Sequence, residues 1–267
     1  MANAASSRIQ DHKPGDGYVQ SFARGLEVIR SFSAEAPRQT LTEVATRSGL
    51  SRAGARRILL TLEALGYVHN DGKLFNLTPR ILDLGFAYLS SMPIWNVAEP
   101  VMESLAASVQ ESCSAAVLEG TDILYVLRVS TYKIMKINLG VGSRLPAYCT
   151  SLGRMLLAGL PEVDLRQRLE ASTRTARTKH TITDVAALEE VIAQTRAQGW
   201  SLLDQELEEG LVSMAAPITN AAGQTVAALN ISGQANRTSA KTMQETMLPK
   251  LLASAQDISR MLGAKRA

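Results

Sequence analysis

Residues 40–67 of this chain, Thr-Leu-Thr-Glu-Val-Ala-Thr-Arg-Ser-Gly-Leu-Ser-Arg-Ala-Gly-Ala-Arg-Arg-Ile-Leu-Leu-Thr-Leu-Glu-Ala-Leu-Gly-Tyr, read as two helices separated by a tight turn. Thr40 and Glu43 have the Thr-x-x-Glu spacing in which hydroxyl and carboxylate reciprocally satisfy free amides, which predicts a helix starting near Leu41. Gly49 suits the left-handed position that ends a helix, and Ser51 is a good N-cap for a second one reaching about Leu65. Along that second helix Ala55, Ile58, Leu59, Leu62 and Leu65 follow the i, i+3, i+4, i+7 rule and define a buried stripe. At about 100° per residue Arg56 and Arg57 project away from the stripe, and Arg52 sits at its flank.

A basic outward face at the start of a second helix suits the major groove of DNA, where Arg pairs bidentately with guanine or clamps a phosphate. The plainer reading, a solvated face with some arginines, stays open on this stretch alone. The following residues, Tyr67-Val-His-Asn-Asp-Gly-Lys-Leu-Phe-Asn-Leu77, place Asp71-Gly72 between two apolar runs, a hairpin signal. Helix-turn-helix plus hairpin is a winged helix. Ser51, Arg52, Arg56, Arg57 and Lys73 at the hairpin tip are the candidate DNA contacts.

With 267 residues, of which 46% are hydrophobic, the chain suggests roughly two domains. No apolar run approaches the roughly 18 residues of a membrane span, and the first residues lack the pattern of a signal peptide, so a cytoplasmic location is expected. Cys113 and Cys149 are too few for a disulfide framework. The net charge of +3 is unevenly placed: residues 1–90 hold eleven Lys/Arg against eight Asp/Glu, and residues 91–267 hold seventeen of each. The excess lies in the helix-turn-helix segment, as phosphate contact requires.

Residues 1–17 are expected to be a disordered arm. Ser21 is expected to cap a first helix with Phe22, Leu26, Ile29 and Phe32 at helical spacing. After the wing, Thr78-Pro79 starts another helix, whose apolar residues Ile81, Leu82, Leu84, Phe86 and Leu89 cover more than one face. This reads as a linker helix over 78–92 that also packs on a partner chain, the alternative being a helix buried between the chain's own two domains. A helix from Trp95 to Ser112 opens the second domain. Strands follow at Ser114–Leu118, Asp122–Val129 and Ile134–Leu139, then an extended segment runs into a helix near Cys149-Thr-Ser-Leu-Gly-Arg. Thr183 is expected to cap a helix ending at Gly199. Strands at Trp200–Glu206, Leu211–Thr219 and Thr225–Ser232 and one last helix from Ser239 to Leu262 complete the reading. Strands outnumber crossover units, which points to a mixed or antiparallel sheet. The entrance of the helix after Cys149 presents free amides and a positive dipole end, the best place for a carboxylate or phosphate. A cap by Thr150 or Ser151 on its own helix is the plainer alternative.

On these residues the chain resembles the IclR family of bacterial transcriptional regulators from about Ser21 to Leu262. The resemblance rests on Ser21-Phe-Ala-Arg-Gly-Leu26, on Leu41–Val68, on Ala147–Ala158, on Asp204–Pro217 and on Ala228-Leu-Asn-Ile-Ser232. Several of these are most similar to the branch regulating protocatechuate, p-hydroxybenzoate and beta-ketoadipate catabolism. The resemblance implies an α+β chain. Its parts would be a winged helix-turn-helix domain over 18–77, a dimerising linker helix over 78–92 and a GAF-like effector domain with a mostly antiparallel sheet over 93–265. It implies operator DNA and a small carboxylate effector as partners, a homodimer or dimer of dimers, and no enzyme activity, cofactor, metal or membrane. Carried over as effector residues are Ser151, Leu152, Asp204, Ser213, Asn230 and Ser232. Arg144, Tyr148 and Arg128 are added because an aromatic acid needs a cation and a flat apolar wall. Two departures stand out: Arg154 where many relatives have lysine, and Ser213 where some have cysteine. The competing reading is a reactive Cys149 beside a helix N-terminus, as a redox switch or, with His180 as base, an enzyme nucleophile.

Overall fold

A computed structural model describes residues 18–91, 94–130 and 139–264. The chain divides into two compact units, Met1–Tyr88 and Leu89–Ala267. The expected arm and most of the strand expected over Ile134–Leu139 lie outside the described residues.

The first unit contains α1 (Gln20–Arg30), β1 (Arg38–Gln39), α2 (Leu41–Ser48), α3 (Arg52–Ala64), β2 (Val68–Asn70) and β3 (Phe75–Leu77), and α4 (Leu82–Ser91) begins in it. The capping box forms as its spacing predicts: Thr40 accepts from the Glu43 amide, and Glu43 accepts from the Thr40 amide at 2.7 Å. Gly49 closes α2 at φ 66°, a value that costs a side-chain-bearing residue strain. Ser51 caps α3 by accepting from the Gly54 amide at 3.2 Å. Val28, Val44, Ala55, Leu59, Leu62, Val68 and Phe75 form the core beneath α2 and α3.

Three expectations need correction here. Helix α1 has Val19, not Ser21, at its cap position and no side-chain cap. Phe22 is 69% exposed and Leu65 52% exposed, so each stripe loses its outermost member. The hairpin gains a third strand, because β1 pairs with β3 to give the order β1-β3-β2, all antiparallel.

The second unit runs α5 (Ile94–Val109), β4 (Ser112–Glu119), β5 (Asp122–Val129), β6 (Arg144–Pro146), α6 (Ser151–Ala158), α7 (Glu162–Ala171), α8 (Val185–Gln198), β7 (Ser201–Asp204), β8 (Leu211–Thr219), β9 (Thr225–Gln234), α9 (Ala240–Thr246) and α10 (Leu248–Met261). Its six strands form one sheet in the order β6-β5-β4-β9-β8-β7, and every pairing is antiparallel. Helices α5 and α10 cover one face over Met102, Leu105, Met214, Leu229 and Ile258. On the other face α6 and α8 pack over Tyr125, Leu152, Met155, Leu188 and Ile192. The chain is thus α+β, with helix-turn-helix and small sheet first and a larger antiparallel sheet carrying helices after it.

The cap of α8 is Asp184, one residue past Thr183, and accepts from the Ala187 amide at 2.9 Å. The single last helix is two, since Pro249 at the start of α10 has no amide to continue α9. Among the described residues no helix is long and apolar enough to cross a membrane.

Candidate DNA-contact face and effector pocket

On α3 the side chains of Arg52, Ala53, Arg56 and Arg57 are exposed, as is Lys73 beyond β2. None of these cations joins an ion pair among the described residues, whereas Arg38 beside them is tied to Asp71 at the wing tip. Asp71 also accepts from the Lys73 and Leu74 amides, which shapes the tip and holds its carboxyl below its usual range. Four cations on one helix face and its neighbouring wing are therefore free to meet phosphates and base edges. Ser51 is partly spent on its cap, although its hydroxyl can still donate. Arg57 leans elsewhere: with Phe22, Leu26, Ile58, Leu65 and Leu84 it lines a groove of about 870 Å³ between α1 and α3.

In the second unit, Thr150 caps α6 by accepting from the Gly153 amide at 3.1 Å. That takes one of the amides at the helix entrance, so the plainer reading holds for Gly153. The Ser151 and Leu152 amides have no acceptor among the described residues. The Ser151 hydroxyl is buried and likewise without a partner. Helix α6 is seated tightly: a Cβ at position 153 would lie 2.2 Å from the Ala147 carbonyl oxygen, so only glycine lets the helix start approach this turn. Ser201 donates to the Ser151 carbonyl at 2.8 Å and anchors the same end to β7.

Against this helix start lies a small cavity of about 20 Å³. Six residues singled out in the sequence line it: Arg128, Ser151, Leu152, Ser213, Asn230 and Ser232. Ser213 and Ser232 are paired across β8 and β9. Asn230 donates to the Ser232 hydroxyl at 2.9 Å and accepts from the Ser114 amide at 3.0 Å. The sequence reading missed Tyr125, Leu139, Leu207 and Leu211 in the same lining. Tyr125 is pushed up to about 12, chiefly by burial, and so offers a protonated hydroxyl near neutral pH.

Three sequence-selected residues stand apart from this cavity. Arg144 is exposed on edge strand β6 and pairs with Glu119 at 3.7 Å. The Tyr148 ring is buried, but its hydroxyl donates to the Thr175 carbonyl at 2.7 Å and accepts from the Thr175 amide at 3.1 Å. Asp204 is exposed at the end of β7. Arg154 of α6 is buried, donating to Glu206 at 2.5 Å and to the Tyr148 carbonyl at 3.1 Å.

Cys149 is fully buried, and burial above all pushes its thiol up to about 11. It is a neutral thiol near pH 7, which removes the activated thiolate that a redox switch or a nucleophile needs. The exposed His180 is held through its backbone amide by Thr178 at 3.1 Å. No group of His, Cys, Asp and Glu among the described residues can hold a metal ion.

Two family models match the chain: the IclR helix-turn-helix domain over residues 21–72 and the bacterial transcriptional regulator IclR C-terminal domain over residues 86–260. The Pca regulon regulatory protein of Pseudomonas putida is 42% identical over 258 residues, covering 96% of this chain and 89% of that protein. A solved chain from Rhodococcus sp. RHA1, described as a candidate transcriptional regulator, is 50% identical with a TM-score of 0.83, covering 92% of this chain and 98% of that one. The inducer-binding domain of the PobR transcription factor from Acinetobacter, a double mutant solved with 3-hydroxybenzoic acid, is 29% identical with a TM-score of 0.59 over 62% of this chain and 97% of that one.

Proposed function

This chain belongs to the IclR family of transcriptional regulators, and we propose that it binds operator DNA through the α3 face as a homodimer and responds to a small aromatic carboxylate in the α6 pocket. Residues 18–77 would carry the DNA contact, 78–92 the linker helix and 93–265 the effector site. The observation that carries the effector reading is the convergence on one cavity of a helix entrance with two open amides, a buried unpartnered hydroxyl and an arginine. The names of the relatives, one of a pca regulon and one solved with 3-hydroxybenzoic acid, support an aromatic acid.

The cavity has room for about one water, far below the roughly 300–1,000 Å³ of ligand pockets. An acid of benzoate size enters only when a wall gives way. The sheet floor is fixed by its ladder, and Gly153 locks α6 to its turn. The proposal places that opening at Leu139 and Leu207, lining residues outside strands and helices. Binding therefore selects a rearranged state, which is what a regulator needs if the ligand is to bias one arrangement over another.

The dimer reading rests on the first unit. Phe22, Leu82 and Phe86 are 69%, 70% and 67% exposed, and an apolar groove of about 870 Å³ lies beside them. Large apolar side chains exposed side by side favour an interaction surface. A second copy covering it makes the operator a pseudo-palindrome. The test is a mobility-shift measurement on the chain's own upstream DNA, with light scattering on wild type and Phe86→Glu. Operator-specific binding by a dimer that Phe86→Glu dissociates supports the reading. A stable wild-type monomer at micromolar concentration removes the dimer, and no preference for upstream DNA removes the α3 assignment.

A further inference from the structure

Strand β5 carries a defect that decides where its arginine goes. Cys113, Ser114 and Ala115 of β4 oppose Val129, Arg128 and Leu127, but the next residue, Ala116, opposes Tyr125. Val126 is therefore an extra residue, a β-bulge. Under strict alternation Arg128 would share a face with Leu124 and Val126, away from Tyr125. With the bulge, Ile123 and Tyr125 pack toward α6, while Val126, Leu127 and Val129 pack toward α5 and α10. Arg128 emerges beside Tyr125, in the pocket lining.

Among the described residues its hydrogen bonds go to hydroxyls. Nη1 donates to Ser114 Oγ at 3.1 Å and Nε to Ser130 Oγ at 3.0 Å. No carboxylate lies within ion-pair distance among the described residues, and the next stretch, 131–138, contains Lys133 and Lys136 but no acid in its sequence. A half-buried guanidinium has five N–H donors, and here several remain unspent. Leaving such a charge uncompensated is costly unless something else supplies the anion.

We propose that Arg128 is the group that anchors the effector carboxylate and sets the preference for an acid over a neutral ligand, with the Ser151 hydroxyl and the α6 entrance on the opposite wall. This rests on the effector-pocket reading above and assigns its charge recognition to one side chain. The planar fork of arginine matches a carboxylate bidentately, and lysine in its place offers only a point charge.

The test is calorimetry on the full chain with 4-hydroxybenzoate, 3-hydroxybenzoate and protocatechuate, and with 4-hydroxybenzamide as the uncharged control, for wild type, Arg128→Lys and Arg128→Gln. Wild type should prefer an acid over the amide. Arg128→Gln should lose on the order of 30-fold or more in acid affinity, as expected for truncating one partner of a buried charge pair, with the amide unchanged and Arg128→Lys in between. Thermal unfolding without ligand supplies the second readout: a purely structural arginine lowers the midpoint when replaced, whereas removing an uncompensated charge leaves it equal or higher. An Arg128→Gln protein that binds acids as tightly as wild type, or that loses affinity only together with its unfolding midpoint, overturns the assignment while leaving the effector reading in place. Failure of every acid to bind wild type overturns both.

Discussion

Arg56 on α3 and Arg154 on α6 carry the same guanidinium in opposite surroundings. Arg56 is exposed and joins no ion pair among the described residues. Arg154 has a side chain 5% exposed and is closed off by Glu206 at 2.5 Å. The comparison teaches that in this chain position, not residue type, separates function from architecture. Arg56 is left without an acid at the surface, whereas Arg154 is given an acid and buried. Arg128 stands between them, half-buried and, among the described residues, lacking an acid like the first.

The largest effect that can break this comparison is on stability. Glu206→Ala strands the buried Arg154 charge and should cost about 3–5 kcal/mol of unfolding free energy, read by chemical denaturation. Arg56→Ala, an exposed change, should stay within about 0.5 kcal/mol of wild type. Equal costs for the two variants would erase the distinction.

The order reverses for DNA. Arg56→Ala should lose about 1–3 kcal/mol of operator binding if it reads a base, or weaken all sequences alike and reduce the salt slope by about 1 if it meets a phosphate. A panel of operator variants measured at several salt concentrations separates the two. Unchanged binding after replacing Arg52, Arg56 and Arg57 together would remove α3 from the interface.

How much of this was legible before the structure depended on range. The caps of α2 and α3 are i to i+3 relations, so Thr40, Glu43, Gly49 and Ser51 declared themselves in sequence. The antiparallel sheet was legible from paired apolar runs, and the helix entrance at Ser151 from its small and hydroxyl residues. Relations that exist only after pairing were not. The partners Arg154 and Glu206 are 52 residues apart, and Arg237 lies 126 from the buried Glu111 it holds at 2.7 Å. The bulge at Val126 depends on β4, so Tyr125 went unnoticed while Arg128 was chosen for its charge alone. Helix α7 was overlooked because Leu165 and Leu169 are its sole buried residues and give too sparse a period. Arg144 and Tyr148 had suitable chemistry, but an edge strand and the Thr175 backbone claim them.

The smallest expected effect concerns Cys149. Its folded thiol lies near 11 against an ordinary 9.0, so the neutral form is favoured by folding. That contribution to stability is complete below pH 9 and is lost as pH rises from there through about 11. Cys149→Ala should flatten this alkaline decline, and native Cys149 should stay unreactive toward a thiol reagent at pH 7. Rapid native-state modification would restore the redox reading.

The central claim is that the pocket and the α3 face are coupled. The most direct measurement is the operator Kd of the full chain with and without saturating 4-hydroxybenzoate or protocatechuate, at fixed salt. Coupling of about 1–3 kcal/mol predicts a change of roughly 5- to 150-fold in one direction, with operator DNA shifting the affinity for the acid by the same factor. An acid that binds wild type while leaving the operator Kd unchanged would contradict the account.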